Sequence, residues 1–247
     1  NENIIYFVAN GNLYKSINGG VNINIIGDDN FQNIYLSTSD IVSHPTQKNT
    51  LFLADENGLF TTSDSGDSWT QIMEGVIQEI EFHPTNSNII YVVKQTENKT
   101  EFYKSINGGI TFSLSINGWP NPSEGEEQKR TEIAITNDMP NRIVALATGS
   151  ANGGSGLYGI YVSDDMGSNW TFRCCGPQPA GVPDTTNINL MGWSDQGTDD
   201  GGQYYYDLAL AVNPNNADII HVGGVQHWIS TDGGVSFTCP AKWSHPH

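Results

Sequence analysis

Positive charge is scarce in this chain. Its 247 residues hold 10 Lys and Arg against 27 Asp and Glu, a formal net charge of −17. A protein that grips nucleic acid or an anionic membrane needs a basic face, and the few cations here are scattered along the sequence. Both partner classes are therefore set aside; the acidity serves either solubility or cation binding. Charged residues of both signs make up only 15% of the chain, and no long stretch has a helical period. Long apolar runs are also missing. A membrane-crossing helix needs roughly 20 consecutive apolar residues, so no membrane insertion is expected.

Cysteine is rare as well, at 3 residues. Neither the spacing nor the neighbours of Cys174, Cys175 and Cys239 suggest a metal site. Cys174 and Cys239 fall at similar distances after the aromatic of a recurring turn phrase, so a bridge from Cys174 or Cys175 to Cys239 is expected in an oxidising compartment; free structural thiols are the alternative. No signal-peptide pattern is present. Asn1 falls almost directly on the strand-like run Ile4–Val8, as in a processed or trimmed piece of something longer.

What the sequence does have is repetition. The phrase Ser/Thr-x-Asp/Asn-x-Gly-x-x-aromatic is written at Thr62–Trp69, Ser105–Phe112, Ser163–Trp170 and Ser230–Phe237, and once more at Ser16–Ile23 without the aromatic. Asp or Asn folds its side-chain oxygen back onto backbone N–H groups and holds a tight turn. Gly takes the positive φ such a turn needs, and the aromatic anchors the next strand. The turn residues are Asn18, Asp64, Asn107, Asp165 and Asp232, spaced 43 to 67 residues apart.

Between these turns runs a second phrase, clearest as Phe82-His83-Pro84 leading to Ile89-Ile90-Tyr91-Val92, with relatives at His44-Pro45, Pro140-Asn141 and Asn213-Pro214. Pro and Asn make a turn, and the β-branched run after it is a buried strand. One repeat thus reads as four antiparallel strands, A to D, the signature of a β-propeller blade. The expected fold is all-β: a single propeller segment over 1–247, with blades at roughly 1–30, 31–75, 76–118, 131–175 and 204–243. Insertions fall at 119–130, 148–156 and 176–203. The first blade lacks its strand A, so four blades are complete and one partial. An open arc leaves blade faces exposed, which points to a fragment of a larger ring, with a closed five-bladed ring as the alternative.

These two phrases resemble the Asp-box (BNR) repeats of sortilin-like propellers. Similar repeats occur in sialidases, in xyloglucan-cleaving glycosidases and in secreted Bacteroidetes propeller proteins. The last group is resembled most, through Gly201–Pro214 and Val222–Gly234. The resemblance implies a fold more than an activity, because the turns lie far from any catalytic centre. It implies export to the cell surface or beyond, and Asp184-Thr185-Thr186 resembles an O-glycosylation sequence of that group, with Thr185 as acceptor.

The expected role is a binding or structural module for polysaccharide, an extracellular protein or other copies of itself; the alternative is a glycoside hydrolase. Aligning the A strands puts an acid just before each: Asp40, Glu79, Glu132 and Asp207, with Glu81 on the face of Glu79. If these strands line the channel, the acids form a partial ring suited to a cation such as calcium or to sugar hydroxyls; otherwise they are solvated strand ends. No cofactor is implied. A glycosidase wants two carboxylates about 5 to 10 Å apart, and Asp207 with Glu132, or with Asp195, Asp199 or Asp200, is the candidate pair. Trp119, Trp193, Tyr204, Tyr205 and Tyr206 lie in or beside insertions, where exposed aromatics stack on sugars or anchor a protein; the plainer reading is that they cover blade edges. His245 and His247 are the candidates for the start of a metal-binding run.

Overall fold

The computed structural model describes residues 3–27, 38–151, 153–176 and 187–241. Every strand pairing among them is antiparallel, and the described residues contain no helix. The first sheet is β1 (Ile5–Ala9), β2 (Asn12–Ser16) and β3 (Asn24–Ile25). The second is β4 (Thr38–Ser43), β5 (Leu51–Asp55), β6 (Gly58–Thr62) and β7 (Thr70–Glu74). The third is β8 (Ile77–Phe82), β9 (Ile90–Gln95), β10 (Thr100–Ser105) and β11 (Ser113–Ser115). The fourth is β12 (Glu127–Ile135), β13 (Ile143–Ala151), β14 (Gly154–Ser163) and β15 (Thr171–Cys174). The fifth is β16 (Ala209–Val212), β17 (Ile220–Gly223), β18 (His227–Ser230) and β19 (Thr238–Ala241).

Each sheet keeps chain order, so each is an up-and-down meander. The innermost strands β4, β8, β12 and β16 lie side by side in succession. These are propeller blades, among the described residues three-stranded then four-stranded four times, and those residues form no closed ring. Residues 148–156, read from the sequence as an insertion, are taken up mainly by a longer β13–β14 hairpin.

Period-two alternation sorts the core into four seams. In β5, Leu51 and Leu53 pack toward the first blade, while Phe52 and Ala54 pack toward the third. In β9, Ile90 and Val92 face the second blade, and Tyr91 and Val93 face the fourth. β13 repeats the rule, with Ile143 and Ala145 to one side and Val144 and Leu146 to the other. Central strands buried on both faces read as unbroken apolar runs for this reason.

The recurring turns are built alike. Ser16, Thr62, Ser105, Ser163 and Ser230 are buried. Each hydroxyl donates to the Asp or Asn Oδ1 two residues on, at 2.7–3.1 Å. It also accepts the amide four residues on, at 2.8–3.0 Å. That Oδ1 accepts a further amide from Asn22, Ser68, Thr111, Asn169 and Ser236 respectively. The turn is then tied to the chain just before strand B of its own blade: the amides of Gly19, Ser65, Gly108, Met166 and Gly233 donate to the carbonyls of Asn3, Asn49, Asn88, Asn141 and Asp218, at 2.8–3.0 Å. Two successive residues have positive φ, not the single Gly expected, and Ser65 and Met166 occupy the first place at φ 68° and 59°.

Cys174 and Cys175 are bonded to each other, so the expected bridge to Cys239 is not formed. Register explains the difference. Cys174 lies opposite Ile160, and the residue holding that place in the fifth blade is Ala241, opposite His227. Cys239 sits two residues short of it, and its thiol donates to the carbonyl of Ala241 at 3.4 Å.

Candidate functional site

Inner-strand register sets Asp40 opposite Ala54, Glu79 opposite Val93 and Glu132 opposite Leu146. The acids stand within their strands, not just before them. A bulge lies immediately upstream in β4 and β8, between Thr38 and Asp40 and between Ile77 and Glu79, and in β12 another lies between Gln128 and Arg130. Bulges re-aim side chains at strand ends, and here they precede carboxylates that converge. In the fifth blade the equivalent place is held by Ala209, opposite Gly223. Asp207 therefore falls outside the ring that the sequence alignment gave it.

The remaining acids act on one another. Burial holds the Glu79 carboxyl far above the ordinary carboxylate range, helped by a hydrogen bond to Glu132 and by the charges of Glu132, Asp40 and Glu81. Burial, then Asp40 and Glu132, push Glu81 up to about 7. Asp40 is raised by burial, and the Ile41 amide offsets part of this. Arg130 grips Glu132 Oε1 through Nε at 3.0 Å and a terminal nitrogen at 2.7 Å. Glu79 and Glu132 are thus hydrogen-bonded to each other, whereas glycosidase acids stand apart across a cleft. Among the described residues no three His, Cys, Asp or Glu side chains are arranged to hold a metal ion.

Asp207 lies elsewhere, in a half-open cavity of about 430 Å³ lined by Trp193, Gln203, Asp207, Gly224 and Val225. Gln203 and Asp207 are the two ends of a turn, with the amides of Tyr206 and Asp207 both donating to the Gln203 carbonyl at 2.8 Å. Between them Tyr205 and Tyr206 are exposed, 72% and 77%, and Trp193 is 49% exposed. Tyr204 turns inward onto the seam between the fourth and fifth blades and meets Tyr205 edge-on.

One buried side chain holds this loop to the fourth blade. Asn189 Oδ1 accepts the amides of Leu157 and Met191, and its Nδ2 lies within hydrogen-bonding distance of the carbonyls of Ser155, Asp199 and Gly201. Gln226 adds a bond to the Trp193 carbonyl at 2.6 Å. The sequence read this stretch as a loop, and Asn189 was missed; nothing in its immediate neighbours marks it. Asp199 is spent within the loop, its Oδ2 accepting the Ser194 amide.

Trp119 departs from the expected group of exposed aromatics. It is buried against Phe102 and Trp170, and its Nε1 donates to the Thr100 carbonyl at 2.8 Å. A large apolar ring beside a seam gains more from burial than from solvent. Arg142 is committed to Asp164 and Asp218 at 2.6 and 2.7 Å, and Arg173 also approaches Asp164. Thr185, His245 and His247 lie outside the described residues.

No protein-family model matches the chain, and no curated protein does. Solved structures match its fold. An ancestral GH74 enzyme aligns with a TM-score of 0.67 at 16% identity, over 96% of this chain and 29% of its own. The GH74 xyloglucanase of Xanthomonas campestris aligns with a TM-score of 0.65 at 15% identity, over 97% and 36%. The GH74 enzyme of Niastella koreensis aligns with a TM-score of 0.61 at 18% identity, over 98% and 37%. The chain is a β-propeller segment, and it spans about a third of the length of these enzymes.

Proposed function

We propose that this chain is part of an exported Asp-box propeller that binds polysaccharide through the loop seated on its fourth and fifth blades. The observation that supports this most is the cavity lined by Trp193, Gln203 and Asp207, beside which the turn from Gln203 to Asp207 exposes Tyr205 and Tyr206. Aromatic faces take the apolar faces of sugar rings, and one or two polar groups fix orientation. Asp207 and Gln203 provide those groups. The likeness to xyloglucanases makes a neutral plant-type glucan the first ligand to try.

Calorimetry with xyloglucan oligosaccharides tests this. Binding is expected in the parent and should weaken at least tenfold in Trp193→Ala, while the far-ultraviolet circular dichroism stays unchanged. A parent that binds no glycan but captures a protein partner or itself would favour the other binding roles.

Glycoside hydrolysis is the second reading, favoured by the same likeness to GH74 enzymes. Against it stand the direct contact of Glu79 with Glu132 and the commitment of Asp199 to its own loop. Release of reducing sugar by the full-length protein, lost in Asp207→Ala, would replace the binding role with an enzymatic one.

A further inference from the structure

The flank of the fifth blade that faces away from the fourth is chemically unlike the others. At the central position of strand B on that side, the first four blades place Tyr6, Phe52, Tyr91 and Val144, all packed into an apolar seam. At the matching position of strand C they place Leu13, Leu59, Phe102 and Ile160, again apolar and buried. The fifth blade has His221 at the first position and His227 at the second. Both core positions have changed together, from aliphatic or aromatic side chains to imidazole.

The two rings meet. His221 Nδ1 and His227 Nε2 are 3.1 Å apart. The ring planes differ by 6° and the centroids are 5.3 Å apart. That separation is one N···N contact plus a ring radius on each side, so the rings lie edge to edge, nitrogen toward nitrogen. The flank is open around them: both rings are half-buried, Ala209 and Ala211 on β16 are exposed, and Gly223 opposite His227 adds no side chain.

From this the geometry points to a transition-metal site on the flank of the fifth blade, with His221 and His227 as its two protein ligands. Imidazole nitrogen is a ligand for zinc, copper and nickel, whereas calcium and magnesium want oxygen. Two nitrogens each about 2.0–2.1 Å from one tetrahedral zinc ion stand roughly 3.3 Å apart. The pair is already near that spacing, so a small rotation of each ring turns the shared N–H contact into a chelate. The proton shared between the facing nitrogens moves to the other nitrogen of its ring, so both histidines ligate as neutral imidazoles. Water or a group from a covering surface completes the coordination.

The test is calorimetric titration of Zn²⁺ and Ni²⁺ at neutral pH into the full chain carrying His245→Ala and His247→Ala, which removes the other candidate histidines. One ion per chain is expected, with no response to Ca²⁺. His221→Gln and His227→Gln should each weaken binding at least tenfold. His227→Leu restores the residue of the first two blades; it should leave the thermal midpoint equal to or above that of the parent and still abolish the metal response. Absence of a Zn²⁺ or Ni²⁺ response in the parent background overturns the site. So does a response that survives in His227→Leu.

Discussion

A buried hydroxyl sits at the start of every recurring turn and serves as donor to one group and acceptor to others. Removing it strands the amide four residues on, and an unsatisfied buried donor costs about 1–3 kcal/mol. Ser163→Ala should therefore lower the unfolding free energy by about that much in urea, while Ser163→Thr should be nearly neutral because Thr62 holds the same place in the second blade. An unchanged midpoint in Ser163→Ala would mean the hydroxyl is not structural. This chemistry was legible from sequence because its bonds run only two and four residues along the chain. The left-handed place before the Gly was not legible, since Ser65 and Met166 carry nothing in their side chains that marks a positive φ. The cysteine pairing was hidden too, because it depends on strand registers that sequence spacing does not contain. Alkylation of the denatured, unreduced protein should add a single label, at Cys239, and reduction beforehand should raise the number to three. Labelling of Cys174 or Cys175 without reduction would show that their bond is absent in solution.

At the scale of elements, the strands were legible and the loop that carries the candidate site was not. Strands announce themselves by alternation, and β5, β9 and β13 send neighbouring residues to opposite seams as that rule requires. The 187–203 segment has no period to read. Its shape comes from one amide side chain meeting backbone groups up to 34 residues away. Asn189→Ala removes these bonds together and leaves the Leu157 amide unsatisfied in a buried place. The expected outcome is local: cleavage by a non-specific protease within 187–208 becomes much faster, glycan binding is lost with it, and the unfolding free energy falls by about 1–3 kcal/mol. If the variant resists protease like the parent, the loop is held by its other contacts and Asn189 is not its clamp.

Across the whole molecule, successive blades bring to one place carboxyls that are far apart in sequence. Alternation made Glu79 and Glu81 legible as one face, and the repeat aligned Asp40 and Glu132 with them. The ring ended one blade early because the fifth blade puts Ala209 in the equivalent place. Two sets of acids then pull stability in opposite directions with pH. On the inner strands, folded pKa values are raised, so the native state holds protons more tightly than the unfolded chain does. A raised group contributes stability that is complete below its unfolded value and gone above its folded value. For Glu81 that window runs from 4.5 to about 7, and Asp40 and Glu79 shift in the same direction. In the turns the sign reverses. Burial raises Asp232, but the Ser236 hydroxyl and amide and the Ser230 hydroxyl outweigh it and bring it down to about 2. Hydrogen bonds led by the Ser68 hydroxyl depress Asp64, and those led by the Asn169 side chain depress Asp165. Their contribution is present above 3.8 and lost as pH falls through the folded values. Stability should therefore peak near pH 5, with urea midpoints lower at pH 8 and at pH 2.5. Glu81→Gln cannot ionise, so it should flatten the loss between pH 5 and 8 and leave the acid limb as in the parent. A variant that loses as much stability by pH 8 as the parent would show that Glu81 is solvated, and that the inner-strand acids do not act as one group.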